Sequence, residues 1–197
     1  MENLMVVFEG IDGAGKGTQI ENLKKALKKM KKKFFVFKYP SEKSKKIRKY
    51  LQQKIDMNED EAFFEYINDI AAQQNEIREK LQKGWIICDR YFFSTLAYQS
   101  LEKDLSERIE AIKNFRLIEP DVVVWLYINP QDAIKRKLKN RLADRFEKDL
   151  EKLKKIEQNY QKLYSLKFMA KKWIKVESFK DKKEVFEDIA KEIFKGF

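Results

Sequence analysis

Between Leu4 and Gln19 the chain reads "LMVVFEGIDGAGKGTQ", and no other stretch restricts the fold as much. Five apolar residues in succession, without polar alternation, suit a strand buried on both faces. Gly10, Gly13, Gly15 and Gly17 follow, four of the six glycines in the chain. From Lys16 to about Lys31, Ile20, Leu23, Leu27 and Met30 recur at helical spacing. A strand, a glycine loop and a helix in this order match the first part of G-x-x-x-x-G-K-[ST], through Gly10, Gly15 and Lys16. Glycines let the backbone wrap around an anion with its N–H groups inward. The helix start adds the positive end of its dipole, and Lys16 adds a point charge. The expected triphosphate cradle is Gly10, Gly13, Ala14, Gly15, Lys16, Gly17 and Thr18.

The rest of the chain repeats the alternation. "FFVFKY" (Phe34–Tyr39), "WIICD" (Trp85–Asp89), "DVVVWLYI" (Asp121–Ile128) and "WIKV" (Trp173–Val176) read as four further strands. Helical patterns separate them: a short basic one in "KSKKIRKYLQQK", a long one over about 59–83, two near 92–100 and 105–118, one from "PQDAIKRKLK", a charged one over 145–170, and one over 182–195. This order predicts an α/β fold with a five-stranded parallel sheet flanked by helices, in a single domain spanning 1–197.

Composition excludes several classes of chemistry. There is no histidine, so no histidine base or metal ligand. One cysteine, Cys88, rules out an internal disulfide framework and suits a cytoplasmic location. No apolar run reaches the roughly 18 residues that span a membrane. No basic segment precedes the first apolar run, so no signal peptide is expected. The formal charge of +11 comes from lysines scattered along helical segments. A solvated surface accounts for them better than a nucleic-acid partner.

Gly17 departs from the usual pattern, in which Ser or Thr follows the lysine and holds magnesium. "GAGKGTQ" resembles the loop of adenylate kinases, where glycine also stands there and phosphates and water hold most of the metal. Triphosphate binding is expected to survive, with Thr18 assisting the Mg2+ through its hydroxyl. "DRYFFSTLAYQ" (Asp89–Gln99) carries the second constellation. An aspartate at the end of a buried strand can hold a magnesium-bound water. The neighbouring arginine can fork two phosphate oxygens.

With "FEGIDGAGK", "DRYFFSTLAY", "EPDVVVWLYI" and "RLADRFEKDLEKLKKIEQNYQKL" in this order, the chain resembles the thymidylate kinases, P-loop nucleoside monophosphate kinases. The resemblance spans nearly the whole sequence and implies transfer of the γ-phosphoryl of ATP to dTMP, giving dTDP and ADP for dTTP biosynthesis. A phosphate monoester is already an anionic nucleophile, so catalysis reduces to positioning and charge neutralisation. By resemblance, Lys16 follows the migrating phosphoryl group, Arg90 clamps the acceptor phosphate, and Asp89 organises Mg2+ through water. Asp12 lies near the acceptor sugar and phosphates. A short lid at about 136–148 supplies Arg136, Arg141 and Arg145, with Glu147 touching the acceptor or bracing an arginine. Tyr98 stands where a ring excludes a ribose 2′-hydroxyl. A homodimer is expected from the same resemblance.

Two departures bear on the acceptor. The family carries an arginine after the second strand, whereas "KYPSEK" offers Lys38 and Lys43. The family also carries F-x-x-x-R on the next long helix, where this chain has Tyr66 and Ile70. Tyr66 can stack on a base. Ile70 cannot hydrogen-bond, so Gln73, seven residues from Tyr66 on one continuous helix, is expected to read the base edge. Another nucleoside monophosphate kinase, with relaxed or different base specificity for dUMP, CMP, UMP or AMP, is the alternative. A non-catalytic nucleotide- or RNA-binding protein is a weaker one.

Overall fold

The computed structural model describes residues 2–137 and 144–195; side chains at 137 and 144–149 are outside the description. The elements are β1 Met5–Glu9, α1 Lys16–Lys29, β2 Phe34–Lys38, α2 Lys45–Leu51, α3 Glu59–Ala71, α4 Gln74–Lys83 and β3 Trp85–Asp89. They continue with α5 Phe92–Tyr98, α6 Leu105–Lys113, β4 Val122–Tyr127, α7 Pro130–Lys137, α8 Asp144–Ser165, β5 Lys172–Glu177 and α9 Lys182–Lys195.

The five strands form one parallel sheet in the order β2-β3-β1-β4-β5. The expected fold class is therefore correct. β1 lies in the middle, and each of its residues is buried. Met5 pairs with Ile86 of β3, and Val6 pairs with Val122 of β4. The edge strands β2 and β5 are more exposed, as their positions at the two ends of the sheet allow. Aromatic side chains join the sheet to its helices. Trp85 meets Phe194 of α9, Trp125 stacks on Tyr160 of α8, and Trp173 meets Phe93 of α5 edge-on.

One expected element is divided. The helix read as continuous over 59–83 stops at Ala71 and restarts at Gln74. Asn58 and Glu61 form a reciprocal cap at the start of α3, which fixes that end locally. The break has no glycine or proline to announce it. It is held by the Gln74 side chain, whose amide donates to the Ile70 carbonyl and accepts from Tyr91 Oη and the Ile118 N–H. The helix expected over 105–118 also ends early, at Lys113.

The strand order decides where chemistry can occur. β1 and β3 are neighbours, with Phe8 opposite Asp89, so the loop leaving β1 and the residues leaving β3 emerge side by side. Parallel sheets bind ligands at such carboxyl ends, where the connections diverge.

Candidate active site

The loop after β1 is shaped by backbone constraints. Gly10 has φ +134, and a Cβ there would meet the Leu126 carbonyl oxygen at 2.5 Å. Gly15 caps α1 in the left-handed region, with φ 88 and ψ 15. Neither position accepts an ordinary side chain without strain. Ala14 is buried, and its N–H donates to the Ile11 carbonyl. Gly17 differs. A Cβ there would touch nothing within 4 Å, and its φ is not positive. Gly17→Ser is therefore expected to keep the fold and the activity, and to lower the magnesium concentration needed for half-maximal rate by adding a hydroxyl ligand. Magnesium titration of both forms measures this. Loss of activity in a folded variant would show that something must approach the backbone there more closely than a side chain allows.

Lys16 folds back over the loop, and its Nζ donates to the carbonyls of Gly10 at 2.9 Å and Ile11 at 3.1 Å. Burial, then the nearby Arg90 charge, lowers its pKa to about 8.

Arg90 follows β3 with φ 69, left-handed for a residue with a side chain. Its guanidinium donates to the Gly10 carbonyl at 3.2 Å, Ser94 Oγ at 3.0 Å, Asp12 Oδ1 at 2.5 Å and Tyr98 Oη at 3.4 Å. Its plane also lies over the Tyr98 ring at 5.0 Å. One backbone oxygen, that of Gly10, thus receives both Lys16 and Arg90. Two cations, one at the start of α1 and one just after β3, converge on one point, an arrangement that suits a poly-anion passing between them.

Arg90 forms one wall of a cavity of about 210 Å³, lined by Asp12, Tyr39, Pro40, Leu51, Tyr66, Arg90, Tyr91, Ser94, Thr95, Tyr98 and Gln99. The structure thus brings Asp12, Tyr66, Arg90 and Tyr98 together. It does not bring Gln73 there. Gln73 stands at the α3–α4 break and donates its amide to the Asp69 carbonyl. A seven-residue spacing aligns two side chains along an unbroken helix, and this one breaks at Gln73 itself. Ile70 is core, with Phe63 and Ile67. Lys38 is also outside the cavity wall; it is exposed, with Nζ 3.8 Å from Asp89 Oδ2. Lys43 pairs with Glu76 at 3.4 Å.

The sequence reading missed Thr95, Gln99, Leu51 and Tyr39 on the cavity wall. Thr95 and Gln99 lie inside the quoted "DRYFFSTLAYQ", so the motif was a signal for them. It also missed Arg48, which stands in an adjoining cleft with Pro40, Ser41, Glu42 and Leu51 and donates to the Glu42 carbonyl. Arg136 donates to the carbonyls of Gly13 and Ser178, and so lies against the phosphate loop. Arg141, Arg145 and Glu147 lie outside the described residues or have side chains that do.

No group of three or more Asp, Glu, Cys or His among the described residues could hold a metal ion by itself. Asp89 nevertheless offers one hard carboxylate at the end of β3, and Thr18, half-buried on the first turn of α1, offers a hydroxyl. That donor set fits Mg2+ that arrives on nucleotide phosphates and needs few protein ligands.

Residues 8–189 match the family model described as "Thymidylate kinase". The chain belongs to the thymidylate kinase family. It is 32% identical over 203 residues to a thymidylate kinase of Leptospira borgpetersenii, covering 98% of this chain and 95% of the relative. It is 34% identical over 165 residues to a probable thymidylate kinase of Methanocaldococcus jannaschii, covering 83% and 82%. A thymidylate kinase of Plasmodium falciparum is 29% identical over 194 residues, covering 96% and 89%. The expected enzyme class, an ATP-dependent nucleoside monophosphate kinase, and the expected dTMP kinase activity agree with this membership. No helix among the described residues is long and apolar enough to cross a membrane.

Proposed function

We propose that the chain transfers the γ-phosphoryl of ATP to the phosphate of dTMP at the carboxyl ends of β1 and β3. The convergence of Lys16 and Arg90 on the Gly10 carbonyl carries this reading. ATP phosphates take the loop side and draw Lys16 off the backbone oxygens. The dTMP phosphate takes the Arg90 side, above the tyrosine-lined cavity. Tyr66 stacks on the pyrimidine, and the Tyr98 ring occupies the space a 2′-hydroxyl would need. Thr95 and Gln99 are neutral hydrogen-bonding groups on the cavity wall and take over the base-reading role first given to Gln73. Asp89, through water, and Thr18 would hold Mg2+ carried by the triphosphate, and the ion would supply charge neutralisation at the transferring group. Arg136, Arg141 and Arg145 add positive charge from the lid, and Glu147 steadies it. The enzyme works in the cytoplasm, as a homodimer.

The test is ADP release over a panel of monophosphates. The expected order is dTMP, then dUMP, with ribonucleotides poor. A clear preference for AMP or CMP overturns the acceptor assignment.

The lowered pKa of Lys16 gives a signed pH dependence. Anionic phosphates favour the protonated amine, so above about pH 8 the free enzyme must take up a proton to bind ATP. The ratio kcat/KM for ATP is expected to fall as pH rises, approaching roughly tenfold per unit well above that pKa. Calorimetry in buffers of different ionisation enthalpy would detect the uptake. A flat profile from pH 7 to 10 excludes it.

A further inference from the structure

Glu9, the last residue of β1, is a carboxylate in an otherwise apolar central strand and is fully buried. A buried charge needs hydrogen bonds or neighbouring opposite charges to persist. Glu9 has both. Its Oε1 accepts from the Tyr91 N–H at 2.8 Å and the Ser94 N–H at 3.3 Å. Its Oε2 accepts from Ser94 Oγ at 2.5 Å and Tyr160 Oη at 2.9 Å. Arg90 and Lys16 are its neighbouring cations.

These partners enclose one residue. The Arg90 N–H is tied to the Phe8 carbonyl, and the next N–H, that of Tyr91, is tied to Glu9. Between those two anchors the chain passes through the left-handed conformation of Arg90. Such a backbone holds only where its surroundings over-determine it. Tyr91, the residue before α5, makes no side-chain cap of its own, so Glu9 caps α5 from the end of β1. Ser94 acts twice, donating to Glu9 and accepting from Arg90 Nη1. Tyr160, wholly buried on α8, closes the network from the far side, with its ring stacked on Trp125.

We propose that Glu9, with Ser94 and Tyr160, is the positioning residue for Arg90: it fixes the left-handed turn and thereby aims the guanidinium at the acceptor phosphate. Glu9 touches no substrate in this scheme. The proposal rests on the reading that Arg90 clamps the dTMP phosphate, and it assigns to "FEG" a role separate from the phosphate loop that follows it. A carboxylate accepts from all four donors at its two oxygens and places negative charge beside Arg90 and Lys16. An amide of the same shape keeps one acceptor and turns the other into a donor facing Ser94 and Tyr160.

The experiment compares dTMP with thymidine, which lacks the phosphate, as ligands of Glu9→Gln. If Glu9 acts through Arg90, the variant loses at least tenfold in dTMP affinity and less than twofold in thymidine affinity. A merely structural role weakens both ligands alike, or lowers the melting temperature and leaves the ratio of affinities unchanged. Either outcome in a folded variant overturns the proposal. If Glu9→Gln does not fold, Tyr160→Phe decides, because it keeps the stacked ring and removes one donor to Glu9. The expected effect is then about threefold on dTMP alone, and an unchanged ratio counts against the proposal. Arg90→Lys, measured beside them, separates the two readings. A normal ratio there refutes the clamp itself, and a fall in Glu9→Gln without one in Arg90→Lys overturns the link between the two residues.

Discussion

Lys16→Ala is expected to reduce phosphoryl transfer roughly a thousandfold or more while leaving the fold intact. The kinetic loss follows from removing a cation that binds the ATP phosphates and stabilises charge more strongly as the phosphoryl group moves. The structural part follows from burial. A lysine whose pKa is lowered to about 8 is held at a cost in the free enzyme, and its Nζ bonds go to two backbone carbonyls. Removing it should leave the melting temperature equal or slightly raised. Steady-state kinetics and a thermal melt on one preparation test both halves. Near-normal turnover by the folded variant would remove the catalytic assignment.

Arg90→Lys is expected to lower kcat/KM for dTMP by at least about a hundredfold, with loss in both acceptor affinity and rate. The guanidinium reaches Gly10, Asp12, Ser94 and Tyr98 at once from a left-handed residue. A lysine ammonium has three donors without the planar fork, so it cannot reproduce that set and also grip two phosphate oxygens. The charge is conserved in this variant, so the deficit measures geometry rather than net electrostatics. The KM for ATP should change little. Unchanged dTMP binding and turnover would make Arg90 a structural residue.

Most strands were legible to within one or two residues. Runs such as "MVVFE", "WIICD" and "VVVWLY" are buried on both faces, and such runs admit little else. The phosphate loop was legible for a related reason: its function is a backbone shape, and glycines advertise it. The break between α3 and α4 was not. "IAAQQNE" contains no glycine or proline, and what divides it is Gln74 reaching Tyr91 and Ile118, distant in sequence. The expectation for Gln73 was drawn on an unbroken helix, and the break at Gln73 sets its side chain against Asp69 instead. The cavity wall was only half legible, because Tyr39, Leu51 and Thr95 become neighbours through the sheet order and not through spacing. Glu9 carried a signal that went unread. A lone acid ending a strand buried on both faces must find partners elsewhere in the fold.

The register of β1 also sets a chronology. Met5 pairs with Ile86 and Val6 with Val122, so the central strand leaves the ribosome long before either of its neighbours exists. During that interval its apolar residues have no sheet to join, and the loop after it has no Leu126 carbonyl against which to settle. Pairings between distant segments fold slowly, and unpaired apolar strands are open to association with other chains meanwhile. The nucleotide loop is thus translated well before β4 and takes its final shape only after β4 has been made.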